Sequence, residues 1–209
     1  KTAGVYVNEQ TGQFEMIYNP EFLASLPEDQ IKGVLKHEFY HLIFEHVTSR
    51  KPEGVPHKTW NIAADLAINS HLVGELPAFA CMPGVGPFEN LPKHKSAEWY
   101  LKNITDDQVD QCGEGAGDSE GGEGEPGTGQ LDDHSGWDDN ADSPAQQAAK
   151  QMAKERLKQS MKEAAKEASQ SPNGWGSIGG ELKKDILKKL ETKVDWKKVL
   201  RYFIKTSQR

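Results

Sequence analysis

Hydrophobic positions first fall in two short β-prone runs, Val5-Tyr6-Val7 and Phe14-Glu15-Met16-Ile17-Tyr18. The polar segment Asn8-Glu9-Gln10-Thr11-Gly12-Gln13 joins them, so the pattern predicts a small hairpin. Such a strand can lend its edge to an extended peptide or be purely structural, and sequence does not separate the two. Asn19-Pro20 then starts a short helical turn through Phe22 and Leu23. Ser25-Leu26-Pro27-Glu28-Asp29 is a helix start, with Pro early and acids at the positive end of the helix dipole. The helix it opens is expected from about Pro27 to Ser49. Phe39, Tyr40, Leu42, Ile43 and Phe44 make it apolar nearly all round, the mark of a buried helix.

The next periodic stretch is Trp60 to Leu72, apolar except for Asn61, Asp65 and Asn69, which recur every four residues on one face. Its small residues Ala63, Ala64 and Ala67 would let another helix approach closely. Pro77 to Pro92 is rich in Pro and Gly and reads as an irregular loop, a candidate rim for a cleft. Ser96 caps a further helix containing Trp99 and Leu101. Residues 113–130 hold eight glycines and no large apolar side chain, so they read as a flexible acidic linker. Residues 144–168 predict a long helix with a weak Ala/Met/Leu stripe, ended by Ser171-Pro172-Asn173-Gly174. Leu182, Ile186, Leu187 and Leu190 mark another helix, and Trp196, Val199, Leu200 and Phe203 a last one after Asp195. The domain reading that follows is a metal-binding core over 1–112, the linker over 113–130, and 131–209 completing the domain.

Composition narrows the classes. Of the 209 residues 35% are hydrophobic and the mean hydropathy is −0.74, so the core is modest. The apolar runs fall short of the roughly 18–20 residues a membrane span requires, and no membrane association is expected. Lys1-Thr2-Ala3-Gly4-Val5-Tyr6 lacks the build of a signal peptide. With only Cys81 and Cys112 present, a disulfide framework is not expected, and the cysteine usage fits a reducing, cytoplasmic setting. The net charge of −7 conceals an asymmetry: residues 103–149 carry 13 acids and no Lys or Arg, whereas 150–209 carry 16 basic residues against 7 acids. The basic residues alternate with Glu and Gln at helical spacing, which favours a solvated helix face over a nucleic-acid surface.

The candidate chemistry lies in Val34-Leu35-Lys36-His37-Glu38-Phe39-Tyr40-His41, where His37, Glu38 and His41 form H-E-x-x-H. On a helix, residues at i and i+4 stand one above the other, so His37 and His41 can close on a single Zn²⁺. Glu38, one step around, can reach a water on that metal without ligating it and so serve as general base. His46 comes five residues after His41, roughly 140° round a continuous helix, and is expected to point away. The longer pattern with a glycine and a third histidine six residues on is absent.

A catalytic zinc usually takes three protein ligands and keeps one position open. Asp65, in the middle of the polar row, is the candidate third ligand, with Asn61 and Asn69 as outer donors that hold the ligands. His71 and Glu75 stand in reserve, and Asp65 could instead cap or pair with a buried polar group. Cys81 reads as buried filler rather than a soft ligand. Asp132-Asp133-His134-Ser135-Gly136-Trp137 sets a His and a Trp among acids after the linker. His134 can be read as a further ligand, as a donor to the oxyanion of a tetrahedral intermediate, or as part of a surface turn packed down by Trp137.

Taken together these segments resemble the metallopeptidase domain of bacterial and phage proteins that is often fused to a C-terminal von Willebrand factor A-like domain. The resemblance rests on Tyr18-Asn19-Pro20-Glu21-Phe22, His37 to His41, Trp60 to Asp65 with Asn69, Asp133 to Trp137, and Val194 to Leu200, in the expected order. It implies an α+β fold, mainly helical and zincin-like, with a small N-terminal β-sheet. It also implies that Asp65 and His134 belong to the site, and that a VWA-like domain or partner lies outside this chain. The expectation is a zinc endopeptidase acting on protein or peptide, with His37, His41 and Asp65 as ligands and Glu38 and His134 as catalytic groups. The alternative is a zinc-stabilised scaffold that binds partner proteins without turnover.

Overall fold

A computed structural model describes residues 3–8, 10–48, 50–112, 131, 144–176 and 178–190. Strands β1 (Ala3–Asn8) and β2 (Gln13–Tyr18) form an antiparallel pair in which Val5 faces Met16 and Val7 faces Phe14. The turn closes because the Asn8 side-chain oxygen accepts from the amides of Gln10 and Thr11. Gly12 supplies the left-handed residue the turn requires, at φ +60°. Ala3, Val5 and Val7 bury one face of β1, as period-2 alternation requires.

Helix α1 (Pro20–Ser25) starts on Asn19, whose side-chain oxygen accepts from the amides of Glu21 and Phe22. Helix α2 (Glu28–Ile43) follows, and it is shorter than the pattern predicted. It stops because Glu45 takes a left-handed conformation at φ 62°. Glu45 N then bonds Leu42 O at 3.0 Å and His46 N bonds His41 O at 3.0 Å, the paired bonds of a Schellman ending. Glycine usually occupies that position; here Glu45 holds it and pairs with Lys154 at 2.8 Å. Nor is α2 buried all round. Phe39 is 59% exposed and Leu35, four residues earlier on the same face, is also exposed, while Val34, His37, Glu38 and His41 face inward.

Helix α3 (His57–Asn69) starts three residues before the predicted stretch and stops three short of Leu72. It lies between two apolar clusters. Trp60 and Ala64 join Val5, Val7, Leu42 and Val47 on one side. Ile62, Ala63 and Leu66 join Cys81, Phe88, Tyr100 and Val109 on the other. The second cluster is closed by a 3₁₀ turn (Gly86–Phe88), by α4 (Ala97–Asn103) capped on Ser96, and by α5 (Asp106–Gln111). Helix α5 was not anticipated. Its signal was Thr105-x-x-Gln108, a capping box in which each side chain meets the other's backbone amide.

Close approach of α2 to the turn after α3 depends on Gly33. A Cβ there would overlap the backbone carbonyl oxygen of Glu75, in the turn that follows α3. The same turn is held by an ion pair between Lys36 and Glu75.

Contacts divide the chain into two units, Lys1–Leu157 and Lys158–Arg209. The long helix α6 (Pro144–Gln170) has its first half in unit 1, where Ala149 and Ala153 are buried in the cluster of Trp60 and Arg156 donates to Thr11 O at 3.2 Å. Unit 2 holds the rest of α6, a turn over 171–176, and α7 (Gly180–Leu190) with Leu182 and Ile186 buried. The expected linker, the block around His134 and the helix over 196–203 lie outside the described residues. The architecture is α+β: helices with one two-stranded antiparallel sheet among the described residues. None of the described helices is long and apolar enough to cross a membrane.

A further expectation is overturned. Cys81 and Cys112 form a disulfide, their Cα atoms 6.8 Å apart and 31 residues separated in sequence. Counting cysteines missed it because only the packing of α3, α4 and α5 brings the two together, and the inference of a reducing setting loses its basis. Closing a loop of this length stabilises a fold by about 3–4 kcal/mol in the chain-entropy description. Reduction should therefore lower the urea midpoint of unfolding by that equivalent, and the double variant Cys81→Ser, Cys112→Ser should show the same midpoint with or without reductant.

Candidate metal centre

The H-E-x-x-H residues lie on the inward face of α2. His37 and His41 are fully buried, and Glu38 and Asp65 of α3 are 1% exposed. His41 Nε2 stands 3.0 Å from His37 Nε2 and 3.3 Å from Asp65 Oδ1, while His37 Nε2 to Asp65 Oδ1 is 3.8 Å. These three residues could hold a metal ion. Ligand atoms on a tetrahedron with bonds of about 2.0–2.1 Å stand about 3.3–3.4 Å from one another, and the three observed edges bracket that spacing. The donor set of two imidazoles and one carboxylate fits. Glu38 is not among the three, as the sequence motif requires of a base.

A family model described as "Putative metallopeptidase domain" matches residues 2–209. The chain belongs to that family. Residues of this chain also match an uncharacterized protein of Thermotoga maritima, at 33% identity over 69 residues. That match covers 33% of this chain and 17% of the Thermotoga protein. No solved structure matches.

Outside the three donors, the two predicted asparagines part ways. Asn69 Nδ2 donates to the backbone carbonyl of Cys81 at 2.8 Å, which leaves Asn69 Oδ1 facing His37 Nδ1 at 2.7 Å. An amide oxygen only accepts, so His37 carries its proton on Nδ1 and turns the bare Nε2 towards His41 and Asp65. Asn61, by contrast, does not join the site: its Nδ2 lies 3.0 Å from His57 Nδ1, at the far end of the same row. The reserve ligands are also elsewhere. His71 lies against His94 with the rings tilted and their centroids 5.0 Å apart, and Glu75 pairs with Lys36. Cys81 is spent in the disulfide. His134 and Trp137 lie outside the described residues.

His46 is the residue that helical geometry misplaced. Because α2 ends at Ile43 and turns back through Glu45, His46 is buried with Nδ1 3.3 Å from His41 Nδ1. Trp60 meets its ring edge-on at 5.7 Å, and Arg50 Nη1 lies 3.4 Å from its Nε2. Arg50 is in turn fixed by Glu98 of α4 in a two-pronged ion pair, with Nη2 to Oε2 at 2.8 Å, and donates to Phe44 O at 3.2 Å. The signal for this arrangement was present in principle as His46-x-x-x-Arg50, but it carries no meaning until the helix end is known.

Burial alone would push the Glu98 carboxyl up. Hydrogen bonds from Arg50, its own backbone amide and Ser96, together with the Arg50 charge, instead hold it down at about 2. A depressed carboxylate stabilises the fold above its unfolded value of 4.5, and that contribution is lost as pH falls from 4.5 towards 2. Because the pair is partly exposed, solvent screening keeps its worth to about 1 kcal/mol. In Glu98→Gln the drop in melting temperature between pH 5 and pH 2.5 should be smaller than in wild type; an identical drop would show that Glu98 is not the titrating group. For the site itself, Asn69→Ala should weaken metal binding about 10- to 100-fold. Titration with a chelating indicator reads this directly, and unchanged affinity would remove Asn69 from the site.

Proposed function

We propose that this chain is a zinc endopeptidase of zincin-like fold, with His37, His41 and Asp65 as the ligands and Glu38 as the general base. The observation that carries the reading is the buried triangle of donors with Glu38 beside it on α2. Two nitrogens and one carboxylate oxygen are the donor types of a catalytic zinc with an open position. When bound, zinc supplies Lewis acidity, which polarises a carbonyl and acidifies water.

The chain's own residues supply the rest. Asn69 holds His37 in the tautomer that leaves Nε2 bare. Glu38 is kept from bulk water, at 1% exposure. In this reading it takes the proton of the attacking water and hands it to the leaving amine. His134 is retained as the donor to the oxyanion, on the resemblance alone. The substrate is a protein or peptide.

Two variants separate the roles. Glu38→Gln should lower the rate of peptide cleavage by about 10²- to 10⁴-fold and keep its zinc. Asp65→Ala should lose zinc. The checks are cleavage of unfolded casein and the zinc-to-protein ratio after dialysis. Wild type that holds zinc near one per chain yet cleaves nothing would turn the reading to a zinc-stabilised scaffold, and cleavage that persists in Glu38→Gln would remove Glu38 as the base.

A further inference from the structure

Neither cysteine belongs to the donor triangle, yet the backbone of one of them touches a residue that supports it. Asn69 closes α3, and both ends of its amide are engaged. Nδ2 donates to Cys81 O at 2.8 Å, and Oδ1 lies 2.7 Å from His37 Nδ1. The amide is planar and rigid, so it keeps both contacts only while Cys81 O stays where it is. Hydrogen bonds from an amide span about 2.7–3.2 Å, a margin of a few tenths of an ångström. A larger movement of Cys81 O either carries the His37 ring with it or releases that ring.

Cys81 itself lies in neither a helix nor a strand. Its side chain is bonded to Cys112, which ends α5, and both residues are buried. Helix α5 is six residues long, too short to stand by itself. It is fixed by the capping box at Thr105, by Val109 in the apolar cluster of Ile62 and Leu66, and by Gln108 Nε2 donating to Pro87 O at 2.6 Å. Cys112 N adds a bond to Gln108 O at 3.1 Å. The disulfide therefore ties an irregular segment to a helix end that is held from several directions.

We propose that Cys112 is a positioning residue for the metal centre, acting through the disulfide, the Cys81 carbonyl and Asn69 on His37. This rests on the metal reading above and extends it to α5, which contributes none of the three candidate donors. Metal–ligand distances tolerate about 0.2 Å of error, so a loosened Cys81 is felt at His37 before the fold gives way. The bond has two separable effects: it stabilises the chain by closing a loop, and it sharpens the site by fixing a carbonyl.

The test uses the full chain, Zn²⁺ and a chelating indicator. The pair Cys81→Ser, Cys112→Ser removes the bond and leaves no free sulfur to compete for zinc. It should bind zinc about 10-fold more weakly than wild type, within the range that follows loss of a group supporting a ligand. In an Asn69→Ala background the same pair should weaken binding no further, because the path is already cut. Val109→Ala is the comparison: it opens a cavity beside α5, so it should lower the urea midpoint of unfolding and leave the zinc affinity of the folded chain unchanged. Wild-type affinity in the serine pair or in Asn69→Ala overturns the inference. So do losses that multiply when the pair and Asn69→Ala are combined, or a Val109→Ala chain that binds zinc as weakly as the serine pair. If the serine pair fails to fold, Cys81→Ala, Cys112→Ala, which buries no hydroxyl, takes its place with the same expectations. A chain that folds with neither pair makes the bond a condition of folding alone and also overturns the inference. Wild type that takes up no zinc overturns this inference and the proposed function together, whereas wild-type affinity in the serine pair leaves the proposed function standing.

Discussion

Three polar donors with almost no exposure stand 3.0–3.8 Å apart on two different helices, and groups of this kind are costly to remove from water unless something binds them. The need to bring them together dictates much of the first unit. Helix α3 contributes Asp65 from a row with Asn61 and Asn69 on a helix whose other buried residues are apolar, so it must be covered on both sides. The hairpin and the start of α6 cover one side; the 3₁₀ turn, α4 and α5 cover the other. The disulfide between Cys81 and Cys112 sits in that second cover, and through the Cys81 carbonyl it also ends the hydrogen-bond path that orients His37. Packing and site orientation are thus the same set of contacts.

The ending of α2 shows which effect wins locally. A left-handed conformation at a non-glycine residue costs on the order of 1–2 kcal/mol. At Glu45 that cost is offset by two backbone hydrogen bonds, each worth about 0.5–1.5 kcal/mol, and by the ion pair with Lys154. Had α2 continued, His46 would have turned away from His41. The strained residue is therefore the reason a third histidine reaches the site, and strain of this kind tends to persist where the surroundings hold it in place.

Much of this was legible in the sequence because it depends on local periodicity. The hairpin, the inward placement of His37 and His41, and Asp65 in a polar row all follow from spacings of two or four residues. So does the pairing of Asn69 with the site, although Asn61 sits on the same row and bonds His57 instead; a row gives the face but not the depth at which another helix meets it. What escaped depends on where elements stop and on what they meet. His46 was misplaced by two turns of helix that do not form. The disulfide joins cysteines whose proximity exists only after three helices pack. Helix α5 was overlooked because six residues carry too little periodicity, although its capping box was in plain view.

Gly33 has no side chain to bond anything, yet it lies four residues before His37 on the same helix, against the carbonyl of Glu75. Any larger residue would lift α2 away from the turn after α3, carrying His37 and His41 with it. Metal–ligand distances tolerate only about 0.2 Å of error. A position without chemistry is thereby held to nearly the same tolerance as the ligands, and substitutions in this chain should be judged by the displacement they cause as much as by the groups they remove.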